Sequence, residues 1–390
     1  MDLPPELSQP GCVARLKRSL YGLRDAPQIW KKHLVNTLRA NGFEESPTMP
    51  GMLKHSARGV MVGVHVDDVI ATGHRHQLKW LETCMRHVYE HKTRHIGPDD
   101  DDTGVYLGRT IKWTDAGIEW HSNPEHVMKV VREMGLSDAN PVSLPMTSAI
   151  VQAETGDKMQ PNEASNFRSL AARLNFAAQD RPDLALASTV AASRMSSPCV
   201  GDDNVLKRIG RYIRKSSNVH SVFLWDDNVP ELKLWTDSDW ATDVTTRKSR
   251  SGGVIKMGVN TIGHWTRTQD RVARSSGEAE LKASCTGIAE LLGMHALSAF
   301  LRSDREWPLT HCIDASATVG MLQRQGSGQL KHLDVRSLWV QEAIAEHDIK
   351  ICKIPRAQNM ADALASVPRT ETTFDQAMWD MNLRWTLANV

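Results

Sequence analysis

The pattern of apolar and polar positions divides the chain into three stretches. Up to about Met146, short apolar runs alternate with turns. Val60-Met-Val-Gly-Val-His-Val reads as a buried strand, interrupted by Asp67-Asp68 and resumed as Val69-Ile-Ala-Thr. Two adjacent acids inside an apolar strand pair are costly unless paired or metal-bound. A hairpin is predicted from Val105-Tyr-Leu-Gly-Arg-Thr-Ile-Lys-Trp and Gly117-Ile-Glu-Trp, then a helix from Glu125 to Met134, with Pro141 and Pro145 marking a boundary. From Pro161 to Ser217 the pattern is helical and Ala-rich, broken at Arg181-Pro182 and Ser197-Pro198. From Leu232 the order is strand, strand, strand, a long helix (about Glu278 to Arg302), a strand ending at Asp314, two helices, a strand (Ile349 to Ile354) and a short helix at Met360-Ala-Asp-Ala-Leu-Ala. Three meandering strands followed by alternating helices and strands predict a mixed sheet covered by helices. The fold class expected is α/β and multidomain, with boundaries near 150, 231 and 370 and a tail over 371–390 that the pattern leaves without a role.

A length of 390 residues holds two or three domains. The formal charge of +1 gives no global basic field, so any nucleic-acid contact must come from local clusters. Lys207, Arg208, Arg211, Arg214 and Lys215 share largely one side of a helix, either as a phosphate-tracking ridge or as a solvated face. The six cysteines are scattered, which favours a reducing compartment. The first residues lack a basic start and an apolar core, and no apolar run looks long enough to cross a bilayer, so the expectation is an intracellular protein, cytoplasmic or nuclear.

Four acids stand at strand ends or helix starts: Asp237, Glu280, Asp314 and Asp362. Carboxylates brought together repel one another unless a divalent cation neutralises them, and hard oxygen ligands select magnesium or manganese. That combination points to phosphodiester chemistry.

With those residues in view, the element order resembles the ribonuclease H fold. The local motifs resemble the Pol polyprotein of copia-type LTR retrotransposons. Trp235-Thr-Asp-Ser-Asp-Trp-Ala, Arg247-Lys-Ser-Arg-Ser-Gly, Ser275-Ser-Gly-Glu-Ala-Glu, Lys331-His-Leu-Asp-Val-Arg and Asn359-Met-Ala-Asp are similar to successive family motifs. Upstream, Arg15-Leu-Lys-Arg-Ser-Leu-Tyr-Gly-Leu-Arg-Asp-Ala-Pro-Gln-Ile-Trp and His65-Val-Asp-Asp resemble its reverse-transcriptase segment. Val142-Ser-Leu-Pro-Met and Arg181-Pro-Asp-Leu-Ala resemble two further motifs of the same family.

The resemblance implies a partial reverse-transcriptase palm and thumb over 1–150, a helical connection over 151–231 and a ribonuclease H-like domain with a five-stranded mixed sheet over 232–370. It implies a metal-dependent endonuclease that cuts the RNA strand of RNA/DNA hybrids. Two Mg2+ or Mn2+ ions would be held by Asp237, Glu280, Asp314 and Asp362, with Glu280 preferred to Glu278 and Asp237 to Asp239. Arg247, Lys248, Arg250, Arg271, Lys331 and His332, with Arg267 and Arg274 nearby, would contact nucleic-acid phosphates. Asp67 and Asp68 would be the polymerase pair. The family's first palm aspartate lies ahead of the segment with which this sequence opens, so polymerisation by these residues alone is not expected, and the rest of a Pol polyprotein is a possible partner. The alternative is an inactive relic or co-opted nucleic-acid-binding protein. Cys84, His87, His91 and His95 fall at helical spacing that suggests zinc, but the resemblance makes them ordinary palm structure.

Overall fold

The computed structural model describes residues 15–385 apart from Arg18, Tyr21, Glu154, residues 227–230, Val244 and residues 327–336. The predicted contacts at Lys331 and His332 lie outside the described residues. Two compact units are present, one of Met1–Thr93 with Leu297–Ser303 and one of Arg94–Ala296 with Asp304–Val390. The division at 93/94 falls well before the boundary expected near 150.

In the first unit, helix α1 (Ala26–Ala40) starts with a proline in its first turn, where the missing N–H is harmless. Its buried face, Val35 and Leu38, packs with Phe43, Leu53, Val60, Val62 and Leu81. Strands β1 (Glu44–Glu45), β2 (Met52–His55), β3 (Val60–His65) and β4 (Asp68–Thr72) form an antiparallel sheet in sequence order, followed by α2 (Arg75–Arg86).

The apolar run around Asp67-Asp68 is not one interrupted strand. The chain reverses at Val66-Asp67, with Val66 at a φ of 54°, and His65 pairs with Asp68. Both acids are exposed, so the burial cost that had suggested a metal does not arise. Cys84, His87, His91 and His95 are not brought together either: α2 ends at Arg86 and the irregular chain beyond it separates the donors.

The second unit holds two sheets. One is antiparallel, in the order β14-β8-β7-β6-β5: β5 (Thr103–Tyr106), β6 (Arg109–Thr114), β7 (Gly117–His121), β8 (Val219–Leu224) and β14 (Leu383–Trp385). Between β7 and β8 come α3 (Pro124–Glu133), α4 (Ser148–Gln152), α5 (Pro161–Ala177), α6 (Pro182–Ser193) and α7 (Asp203–Lys215). Their apolar faces, among them Val130, Phe167, Leu170, Leu184, Leu206 and Ile209, make the largest core.

The Arg181-Pro-Asp segment ties this layer together. Arg181 and Asp183 are buried and bonded bidentately at 2.8 and 2.6 Å, Arg181 also donates to Ser216, and the Tyr212 hydroxyl donates to Asp183 at 2.9 Å. Removing one partner of a buried ion pair leaves the other charge uncompensated and is costly. On α7, Arg208 and Arg211 donate to the carbonyls of Leu144 and Asn140 at 2.9 and 2.6 Å, Arg214 donates to that of Ala139, and Lys215 pairs with Glu371 at 2.7 Å. That basic side largely fastens the 139–144 segment rather than forming a free phosphate ridge.

The other sheet runs β11-β10-β9-β12-β13. Strands β9 (Leu232–Ser238), β10 (Arg250–Met257) and β11 (Asn260–Thr268) form an antiparallel meander, and β12 (Leu309–Ile313) and β13 (Lys350–Lys353) add in parallel beside β9. This is the mixed five-stranded sheet expected from the element order, with the 3-2-1-4-5 arrangement of a ribonuclease H-like fold. Helix α8 (Ser276–Leu301) is long and apolar enough to pass as a membrane span by length and composition, contrary to the sequence expectation. It buries Ala279, Leu281, Ala283, Ile288 and Leu291, and Gly287 lets it approach β9, where a Cβ would meet the Thr236 side chain at 2.5 Å. The remaining helices are α9 (Ser316–Leu322), α10 (Trp339–Glu346), α11 (Asp362–Ala365) and α12 (Glu371–Asp380).

Residues 371–385 are not a loose tail. Helix α12 buries Phe374 and Met378, β14 pairs with β8, Asn382 accepts from Thr261 of β11, and Lys256 of β10 donates to the Asp380 carbonyl at 2.7 Å.

Candidate metal centre and its relatives

The centre is built where β9, α8 and β12 meet. Asp237 sits near the end of β9, Glu280 in the second turn of α8, and Asp314 directly after β12. One carboxylate oxygen from each lies within 4.8 Å of the other two. Asp237 and Glu280 are buried, at 4% and 9% exposure, and Asp314 is half-buried. Burial, with the charges of Asp362 and Asp314 close by, pushes Asp237 up to about 8. Burial together with Asp237 and Asp314 pushes Glu280 up to about 9. Without a cation, burial and mutual repulsion favour the protonated form of this pair.

Among the described residues, Arg356 offsets part of this charge, and the direct hydrogen bonds are few. Asn359 donates to Asp237 Oδ1 at 3.3 Å and to the Thr236 carbonyl at 3.1 Å, and the Ser238 N–H donates to Glu280 Oε1 at 3.3 Å. Glu280 Oε2 is buried with no hydrogen-bond partner. A buried carboxylate oxygen left unsatisfied beside two further carboxylates fits a hard divalent cation. Behind Asp237, Thr236 bonds to His311 Nε2 at 2.8 Å, and burial pushes that imidazole down to about 3, so it supplies no positive charge.

The fourth acid stands apart. Asp362 opens α11 and is bound by Arg356 at 2.6 Å. Its position depends on Gly252 of β10, which pairs with Asp237: a Cβ there would meet the Ala361 carbonyl at 2.6 Å and the Ala365 nitrogen at 2.8 Å. Arg356 and Asp362 border a cavity of about 230 Å³ also lined by Arg369, Ser148 and Ser366. The Arg356 pairing was missed in the sequence, although a cation six residues ahead of the acid was the available signal.

The rival acids have other partners. Glu278 accepts from the Arg274 N–H at 2.8 Å and pairs with Lys282 at 3.0 Å, which makes it part of the helix start. Asp239 accepts from the Arg250 N–H and the Thr242 hydroxyl. Arg250 is itself buried and paired with Asp239 and Asp243, so it is not a phosphate contact and instead braces the loop after β9. Within that loop Arg247 is exposed and Lys248 half-buried; Arg271 and Arg274 are exposed beyond β11, and Arg267 pairs with Glu290 at 2.7 Å.

Residues 5–148 match the family described as reverse transcriptase (RNA-dependent DNA polymerase). The chain is 26% identical over 383 residues to the retrovirus-related Pol polyprotein from transposon RE1 of Arabidopsis thaliana, covering 96% of this chain and 25% of that protein. Over most of its length the chain is similar to copia-type retrotransposon Pol polyproteins. A second Pol relative, from transposon TNT 1-94 of Nicotiana tabacum, is 25% identical over 370 residues, covering 92% of this chain and 27% of its own length. The chain therefore spans about a quarter of the length of the curated relatives it matches. Among solved structures, RNase H1 of Halobacterium salinarum is similar at 18% identity and a TM-score of 0.27, covering 35% of this chain and 94% of that one. The ribonuclease H-like assignment of the C-terminal sheet rests on its own strand order.

Proposed function

We propose that the second unit hydrolyses the RNA strand of RNA/DNA hybrids with divalent cations held by Asp237, Glu280, Asp314 and Asp362. The observation that carries this reading is the convergence of three largely buried carboxylates within 4.8 Å, one oxygen of which has no partner. Magnesium or manganese at such a centre supplies an activated water and charge stabilisation for the leaving 3′ oxygen. The protein's own part is to hold its ligands in place: Asn359 orients Asp237, the Ser238 N–H orients Glu280, and Lys353 anchors the chain by donating to the Asp314 carbonyl. Arg356 and Arg369 beside the cavity, with Arg247, Lys248 and Arg271, would take phosphates without reading sequence. The remainder of a Pol polyprotein is the natural partner, and the activity belongs to the cytoplasm or nucleus.

The second reading is hybrid binding without turnover. It is favoured by the 2.6 Å Arg356–Asp362 pair, which occupies the fourth ligand. A magnesium titration of hybrid cleavage by the full chain separates the two. Product with a 5′-phosphate supports hydrolysis; folded protein that binds hybrid and never cuts it supports the second reading.

A further inference from the structure

A second group of metal-ligand type lies in the other sheet of the same unit, and the hydrolysis reading makes no use of it. Glu119 and His121 stand two residues apart on β7, so they share a face, and His220 enters on the neighbouring strand β8. One donor atom from each lies within 4.8 Å of the other two. The two imidazoles stack with centroids 4.4 Å apart and planes 20° apart, so one ring must turn for both to face a single ion, and His121 Nε2 is 3.0 Å from Glu119 Oε2. The Nδ1 of His220 lies 3.3 Å from the Asn218 carbonyl. Metal-bound histidines characteristically give their second ring nitrogen to such a carbonyl.

We infer that Glu119, His121 and His220 form a binding site for a transition-metal dication of the zinc type, separate from the carboxylate centre. Two imidazole nitrogens and one carboxylate oxygen are a borderline-soft set suited to zinc or cobalt, whereas the all-oxygen set at Asp237 suits magnesium or manganese. The cations already nearby do not close the site. Arg384, opposite His220 on β14, is turned onto the Trp379 ring at 3.4 Å. Lys112, opposite Glu119 on β6, reaches Glu119 at 3.5 Å, but its side chain is 44% exposed and can swing into solvent. Its ammonium competes with a metal for the same carboxylate.

The test uses the full chain without a histidine tag, in excess magnesium to saturate the carboxylate centre. Cobalt should give weak visible d–d absorption without a thiolate charge-transfer band, and zinc should displace it with one-to-one stoichiometry. His121→Ala and His220→Ala should each weaken zinc binding at least about tenfold. Lys112→Gln should tighten it, an outcome an ordinary salt-bridged cluster would not give. Zinc should raise the melting temperature of the wild type and of Lys112→Gln, but not of His220→Ala. Absence of cobalt absorption in wild-type protein, or zinc affinity unchanged in both folded histidine variants, would overturn the inference.

Discussion

Asp67 and Asp68 lie at the turn of a two-residue hairpin, exposed and on the edge strand of a small sheet. Asp237 and Glu280 are also acids at the end of a strand or the start of a helix, yet they are buried against each other and against Asp314. In the first case both carboxylates face solvent. In the second the fold works against the charge: burial and mutual repulsion raise both acids, and only a proton or a cation relieves them. A pair of neighbouring acids in a sequence is therefore weak evidence for a metal until its burial is known.

The largest effect expected from this contrast is on turnover. Asp237→Asn should lower metal-dependent hybrid cleavage by at least about 100-fold, since losing a ligand costs more than losing an outer hydrogen bond. Single-turnover cleavage at fixed magnesium, with circular dichroism to confirm folding, measures it. Cleavage within a fewfold of wild type would break the contrast.

Next in size is the pH response of metal-free protein. Asp237 and Glu280 bind protons more tightly folded than unfolded, so between the ordinary carboxylate range and pH 8 to 9 the native state carries the extra protons. Stability should fall as pH rises through that window and level off above it. Thermal melts in a chelator should show this slope. Magnesium should flatten it, and Asp237→Asn should reduce it.

Gly252→Ala should destabilise by roughly 1–3 kcal/mol through the forced shift of α11, with a partial loss of cleavage as Asp362 moves. Denaturant midpoints and rates on the same sample report both. Glu278→Gln should keep cleavage near wild type and cost under about 1 kcal/mol, because glutamine can still accept from the Arg274 N–H while giving up the Lys282 ion pair. A large activity loss there would move the ligand role from Glu280 to Glu278. Smallest of all, Asn at Asp67 or Asp68 should change stability by less than about 0.5 kcal/mol and leave hybrid cleavage untouched.

The alternation of apolar positions was enough to read the second sheet, because β9, β10 and β11 are consecutive and β12 and β13 alternate with helices. Three of the four acids converge as their places on those elements implied. What escaped was set by contacts remote in sequence. Arg250 looked like a free cation, and only its burial beside Asp239 and Asp243 shows otherwise. His121 and His220 lie on strands separated by five helices, so no local spacing could join them. The Val66-Asp67 turn carries no glycine, which hid a hairpin inside an apolar run.

Residues 380–385 reach both sheets of the second unit: Asn382 and β14 bond β8 and β11, and Asp380 holds Lys256 of β10. On the ribosome, β8 would thus wait for an edge partner encoded about 160 positions later, with the intervening sheet already made. Such late, non-local closure slows folding and leaves an exposed edge in the interval. Any expression boundary drawn at residue 370, a little past Asp362, would make that interval permanent.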